Sequence, residues 1–432
     1  MKTNNQFTAK EWNAGGAFQF YGSRKPRCYI VEVTTTNHID GALLQKAVNL
    51  ALERMPYYLQ TFVRKKGLYY YADNNLPFLV AESEKARSIG GETTNHHMLD
   101  VNYYGNMIRF AMFHGLCDGL GLNRFIEAVL YHYFCLKDGK EYSDQGIYTM
   151  KIPYDPAEVA DGFDTKEKIN AKELKKLADS APRLRLPELS SEKGPMMHRY
   201  PLRIKTQELL SWSKSVSATP ATALSAILGQ SVHKELPDAS GVIMAVVPIS
   251  LRKYLHADKS FKNCASAVFL PMKPEQCRDM PTGELAAKLR KDMKGQMSEE
   301  WGLLLTSSIR FMTQLGRKLP TYFLKNKVMA MAESHPQDTF SVDYVGGLQT
   351  NDYSDQITDV RYLNPDVYKG SMFVMLSETA GYFHINFNQT FKSKRYYEAF
   401  LKSLDGLDIP YETLPSDTYL NPEVELPPEQ GR

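Results

Sequence analysis

One of the ten histidines in this 432-residue chain stands where a catalytic histidine has to stand. His114 closes the apolar run Met107–Phe113 (MIRFAMF) and opens the turn HGLCDGLGLN. A strand fixes the backbone, a turn frees the ring, and imidazole titrates near neutrality. Such a residue can take a proton from a hydroxyl or an amine. Asp118 follows four residues on and Gly119 completes a His-x-x-x-Asp-Gly pattern. The aspartate is spaced to brace the turn or to cap the helix that follows. With 10 His and 27 Gly in the chain, the pattern arises by chance on the order of a few hundredths of a time. His96-His97-Met98-Leu99-Asp100 has the same spacing, but no glycine follows it and GGETTN precedes it. It reads as loop. Cys117, beside the histidine, has the residue type of a nucleophile, but its place in the turn reads as packing.

These residues need a scaffold. A strand is expected over Arg27–Thr34, and Asp40 opens a helical pattern with apolar residues at 43, 44, 47, 48, 51 and 52, stopped by Pro56. Tyr58–Val63 and Leu68–Tyr71, joined by RKKG, read as a hairpin. Met107–Phe113 is a strand, and a helix is expected from about Arg124 to Phe134. From about Pro153 to Gly194 the chain is charged and lacks apolar periodicity, apart from a solvent-facing helical stretch around Thr165–Ala178. The second half starts again near Met197 with the strand HRYPLRI, then a short helix over Leu209–Val216. Thr219-Pro220 is a helix start, and GVIMAVVPI is an inner strand. Arg310–Lys327 mixes basic and apolar residues around Pro320 and reads as a helix pair over the core. Asn388 heads an N-x-T inside an expected strand and receives no role.

The bulk numbers agree with a two-domain globular protein. Domains hold about 100–200 residues, 43% of residues are hydrophobic and 23% charged, and the net charge of +3 is far from that of a dedicated nucleic-acid binder. Five cysteines (28, 117, 135, 264 and 277) form no CxxC pair, which argues against a disulfide framework or a metal site and for a reducing, cytoplasmic setting. The opening MKTNNQFTAKEWNAGG has no apolar leader, and no apolar run reaches the ~18 residues of a membrane span.

The order of these features resembles the chloramphenicol acetyltransferase-like superfamily, which includes alcohol acetyltransferases and the condensation domains of peptide synthetases. The resemblance runs through Ile39-Asp40 with its helix, Met55-Pro56 and Leu59–Phe62, His114–Gly119, Thr219–Ala226, Val247–Arg252, Asn263–Ala267, Ser341–Gly346 and Tyr382–Phe391. Phe113 replaces the first of the two histidines that many members carry, and Lys262 replaces the glycine beside Asn263.

The resemblance implies a mixed α/β fold of two similar domains, residues 1–175 and 176–432, with a channel between them. It implies His114 as general base, with Asp118 and Gly119 as structural support. Asp118 pairs with Arg252, and Asn263, Ser341 and Tyr344 line the channel. The activity implied is CoA-dependent O- or N-acyl transfer to a small-molecule alcohol or amine, with acyl-CoA as cosubstrate and no permanently bound cofactor. A carrier-protein donor, as condensation domains use, is an alternative, though the chain shows no adenylation or carrier segment. A non-catalytic binding role is a third reading, against which the intact His114–Gly119 pattern argues. The expected state is a monomer or weak homo-oligomer.

Overall fold

The computed structural model of the protein describes residues 7–8, 10, 20–21, 26, 28–163, 182–191, 196–319, 321–333, 338–363, 372–420, 422–426 and 429–430. The helical stretch expected around residues 165–178 and the boundary expected at 175/176 lie outside these residues.

In the first half, β1 (Cys28–Thr35) leads into α1 (Gly41–Arg54). Asp40 caps α1, its carboxylate accepting from the Ala42 and Leu43 amides. The expected hairpin is β2 (Thr61–Lys65) and β3 (Leu68–Ala72). β2 starts later than the apolar run suggests because Pro56–Leu59 winds into a turn of 3-10 helix. Lys66 and Gly67 both have positive φ, 49° and 71°, the two-residue turn that matches strand twist. β4 (Ala81–Glu82), β5 (Leu99–Tyr104) and β6 (Met107–Phe113) follow, and then α2 (Gly119–Asp138). α2 begins five residues before the expected Arg124 because Asp118 caps it at the motif itself.

The second half holds β7 (Met196–Lys205), α3 (Thr206–Ser215), α4 (Pro220–Glu235), β8 (Ile243–Ser250), β9 (Ala265–Met272), α5 (Thr282–Gln296), α6 (Glu299–Lys318) and α7 (Tyr322–Glu333). β10 (Phe340–Gly347), β11 (Ile357–Leu363), β12 (Met372–Thr379), β13 (Tyr382–Gln389), α8 (Arg395–Asp405), β14 (Glu412–Thr413), β15 (Asp417–Leu420) and β16 (Glu429–Gln430) complete it. Thr219 and Thr222 form a reciprocal capping box at the start of α4, with Pro220 at its first position.

The sheet orders are β11-β1-β6-β5-β4 and β14-β7-β13-β12-β10-β8-β9, with a small third sheet β16-β2-β3. Each of the two large sheets carries its own apolar core. One centres on β1, β6, α1 and α2, the other on β8, β10, β12, β13 and α4. The halves are not separate in sequence. β11, from the second half, pairs antiparallel with β1 in the first sheet, and β16 pairs with β2. No helix among the described residues is long and apolar enough to cross a membrane.

Buried ion pairs tie these parts together. Arg54 donates to both carboxylate oxygens of Glu158 at 2.7 and 3.0 Å, which fixes the chain after Ile152 against α1. Glu32 on β1 accepts from Arg109 on β6 at 3.0 Å and from Arg199 on β7 at 2.8 Å. Arg199 also holds Asp417 on β15, so one cluster spans both large sheets. Burial pushes the Glu32 carboxyl up, but the Arg199 and Arg109 guanidiniums outweigh it and hold it below its ordinary value.

Glu32 is therefore lower in the folded than in the unfolded chain. Its contribution to stability is complete above the unfolded value near ~4.3 and is lost as pH falls through the folded one. Glu32→Gln leaves the buried Arg109 guanidinium with no carboxylate and Arg199 with Asp417 alone, and is expected to cost about 3–5 kcal/mol in urea unfolding at neutral pH. Its stability should also fall less steeply than wild type's below about pH 5.

Candidate active site

β6 ends at Phe113, pinned from both sides by β1 and β5 (Cys28↔Phe113, Leu99↔Met112). His114 is the next residue, and its side chain is partly accessible where the preceding strand residues are buried. Three tyrosine hydroxyls brace the turn that follows. Tyr57 donates to the Leu116 carbonyl, Tyr71 to Gly115 at 2.8 Å, and Tyr58 to Gly121 at 2.5 Å. A Cβ on Gly121 would lie 2.2 Å from the Phe261 carbonyl oxygen, so only glycine fits there.

Asp118 does not reach the imidazole. Its two oxygens accept four hydrogen bonds: from Arg252 at 2.7 and 2.8 Å, from the Gly121 amide at 2.9 Å and from the Cys264 amide at 2.9 Å. That fills the four lone-pair directions of a carboxylate. Arg252 is equally committed. Its remaining N–H groups go to the carbonyls of Ser260 and Lys262, both at 3.0 Å, and to the Ser250 hydroxyl at 3.3 Å. All five guanidinium donors are used, and both side chains are 5% exposed.

This clamp delivers Asn263. The Asn263 amide Nδ2 lies 2.9 Å from His114 Nδ1 and donates to the His114 carbonyl oxygen at 3.1 Å. Its Oδ1 accepts from the Ala265 amide at 3.0 Å. The reverse amide orientation would set oxygen against the His114 carbonyl and NH2 against the Ala265 N–H, so this is the orientation of the resting site. Nδ1 then accepts, and the neutral ring carries its proton on Nε2. The Tyr29 ring meets His114 edge-on, centroids 5.6 Å apart.

The other sequence candidates fall in different places. Gly119 is the first residue of α2, and a Cβ there would lie 2.9 Å from Val345 Cγ1 on β10. Ser341 is buried and donates to Asp338 at 3.1 Å. Tyr344 turns the other way, towards Phe383 and the Glu378 carboxylate at 3.1 Å. Cys117 is fully buried against the Met112 sulfur, and burial pushes its thiol well above the usual value, so it has no thiolate to offer. His97 is also buried, held by the Leu76 carbonyl at 3.0 Å. Two residues beside the motif are not among the sequence candidates, although one of them, Asp343, lies within Ser341–Gly346. Tyr29 and Asp343 sit on strands whose alternation marks them only as one face or the other. No group of His, Cys, Asp and Glu among the described residues could hold a metal ion.

The architecture is shared with several solved structures. A structure of F. sporotrichioides TRI101 complexed with coenzyme A and T-2 superposes with a TM-score of 0.64 at 12% identity, over 94% of this chain and 99% of that one. TRI3 trichothecene 15-O-acetyltransferase from Fusarium sporotrichioides gives 0.60 at 10% identity, over 92% and 96%. The first condensation domain of the CDA synthetase gives 0.56 at 14% identity, over 92% and 95%. Identities this low show a shared fold, the two-domain chloramphenicol acetyltransferase-like fold. Neither family models nor curated proteins match the sequence.

Removing either partner of the buried clamp strands the other. Asp118→Ala and Arg252→Ala are each expected to cost about 3–5 kcal/mol in urea unfolding. The double variant should lose less than the sum, by about 0.5–3 kcal/mol. Strict additivity would mean that the two do not act as a pair.

Proposed function

We propose that this protein is an acyltransferase that moves an acyl group, most simply acetyl, from a CoA thioester to an alcohol or amine, with His114 as general base. One observation carries the reading. A partly accessible histidine ends a buried strand, and a residue from the other half of the chain holds its ring. The shared fold with acetyltransferases and condensation domains supports it.

In this reading His114 removes the proton from the acceptor as its oxygen or nitrogen attacks the thioester carbonyl. The C–S bond then breaks, and the thiolate takes the proton from the imidazolium. Asp118 and Arg252 take no part in proton transfer; they hold the turn. If Nε2 is the base, the ring proton must sit on Nδ1, so the Asn263 amide has to turn away from Nδ1 before catalysis. Asn263 is then a positioning residue that holds the resting ring, and its release frees the Nδ1–H tautomer. Acyl-CoA is a cosubstrate and no bound cofactor is needed. Five free cysteines fit a reducing compartment such as the cytoplasm.

Two domains, 1–175 and 176–432, are part of the proposal, with β11 and β16 lent by the second to sheets of the first. Arg54 pins the connecting segment as far as Glu158. The charged stretch beyond it is where limited proteolysis should separate two fragments.

The test is free-thiol release from acetyl-CoA in the presence of a panel of alcohols and amines. His114→Ala should fold normally and lower the rate about 10²–10⁴-fold, the worth of a positioned general base. Near wild-type turnover in that variant would remove His114 from the mechanism. Thiol release with an acyl-carrier protein as donor and none with CoA would move the protein to the condensation type.

A further inference from the structure

β10 alternates. Phe340 and Val342 enter the second core. Ser341 and Asp343 face the other way, directly across from Phe373 and Met375 on β12, which belong to the first core. Val345 continues that face and abuts Gly119 at the start of α2. Asp343 therefore stands on the side of the sheet that looks at the His114 turn. Its carboxylate makes no hydrogen bond or ion pair among the described residues, and the residue as a whole is half-buried.

Tyr29 stands beside it. It is 2% exposed and edge-on to His114, and its hydroxyl is 3.5 Å from the Cβ position of Gly119. That hydroxyl, too, has no hydrogen-bond partner among the described residues. Burial pushes the Asp343 carboxyl up to about 7, and the Asp118 carboxylate adds to the shift. Burial pushes the Tyr29 phenol well above its usual value, and Asp343, Tyr362 and Asp118 push it further. The groups thus share one electrostatic environment. The Arg252 guanidinium offers Asp343 nothing, since its donors are already spent on Asp118, Ser250 and two carbonyls.

A carboxylate shielded from water is costly unless something donates to it, and no described residue donates to this one. We propose that Asp343, assisted by Tyr29, receives the nitrogen of a primary amine, so that the acyl acceptor of this site is an amine and not a simple alcohol. The proposal rests on the acyl-transfer reading of His114 and narrows it. The protonated amine gives one proton to Asp343 and becomes nucleophilic. Its nitrogen attacks the thioester carbonyl, and His114 takes the second proton from the tetrahedral intermediate. The C–S bond breaks, and the thiolate accepts that proton from the imidazolium. The amide keeps one N–H, and Asp343 returns its proton to water.

The experiment uses the full chain with acetyl-CoA and matched linear alkylamines and alkanols of equal length. Wild type should show the higher kcat/KM with the amines. Asp343→Asn should lower the ratio of amine to alkanol kcat/KM by about tenfold or more, the worth of a hydrogen bond to a charged group, and Tyr29→Phe should lower it less. A wild type that prefers alkanols, or an unchanged ratio in Asp343→Asn, overturns the proposal. His114→Ala separates the two readings, because it should suppress thiol release with both acceptors alike. If wild type releases no thiol with any acceptor, the acyl-transfer reading fails by itself. Thermal shifts with the same alkylamines, read without acetyl-CoA, then decide the amine site. Stabilisation present in wild type and absent in Asp343→Asn supports it, and equal shifts in both overturn it.

Discussion

The bidentate pair between Asp118 and Arg252, 134 positions apart in the chain, is the contact on which the site depends. Asp118 caps α2, the helix that carries the first core, and Arg252 follows the inner strand β8 of the second. Their union also gathers the carbonyls of Ser260 and Lys262 and the amide of Cys264. Asn263 lies inside that gathered segment, which is why its amide can meet the His114 ring. The histidine is thus aimed from both halves of the molecule at once. Two buried charges would be a poor source of stability alone, since desolvation offsets much of their attraction. Here every donor and acceptor is satisfied, so what they supply is a fixed geometry.

The same junction is reinforced by weaker means. Arg124 on α2 donates to the carbonyls of Asp258, Lys259 and Ser260, closing the 258–260 loop onto the first half. The Glu32 cluster joins β1, β6, β7 and β15 on the far side of the same region. β11 crosses from the second half to complete the first sheet. A backbone held this way suits chemistry that needs a ring positioned closely. It also suits a neighbouring carboxylate, Asp343, left without a partner among the described residues.

Much of this was legible in the sequence, and for identifiable reasons. The apolar run before His114 and the turn after it marked a strand end, and Asp40, Thr219 and Pro220 marked helix starts, because caps and strand alternation are local chemistry. The start of α2 was read too late. HGLCDGLGLN is a turn by composition, and it is helical from Gly119 because Asp118 caps it and the second half packs on it. The pairing of β11 with β1 has no local signal at all, since register between distant strands is decided by which faces are buried together.

The sequence by itself determined the two mixed halves, the placement of His114 between a strand and a helix, and the residue types that meet there. Those follow from periodicity, capping and spacing, which act within about a dozen residues. Only the tertiary structure decided that Asp118 spends all four acceptor directions away from the imidazole, that Asn263 meets Nδ1, that Tyr344 turns away from the site, and that Tyr29 and Asp343 stand there with no hydrogen-bond partner for their side-chain oxygens among the described residues. Each of those outcomes depends on which of two faces a strand turns inward and on what reaches it from the other half of the chain. Packing alone sets that.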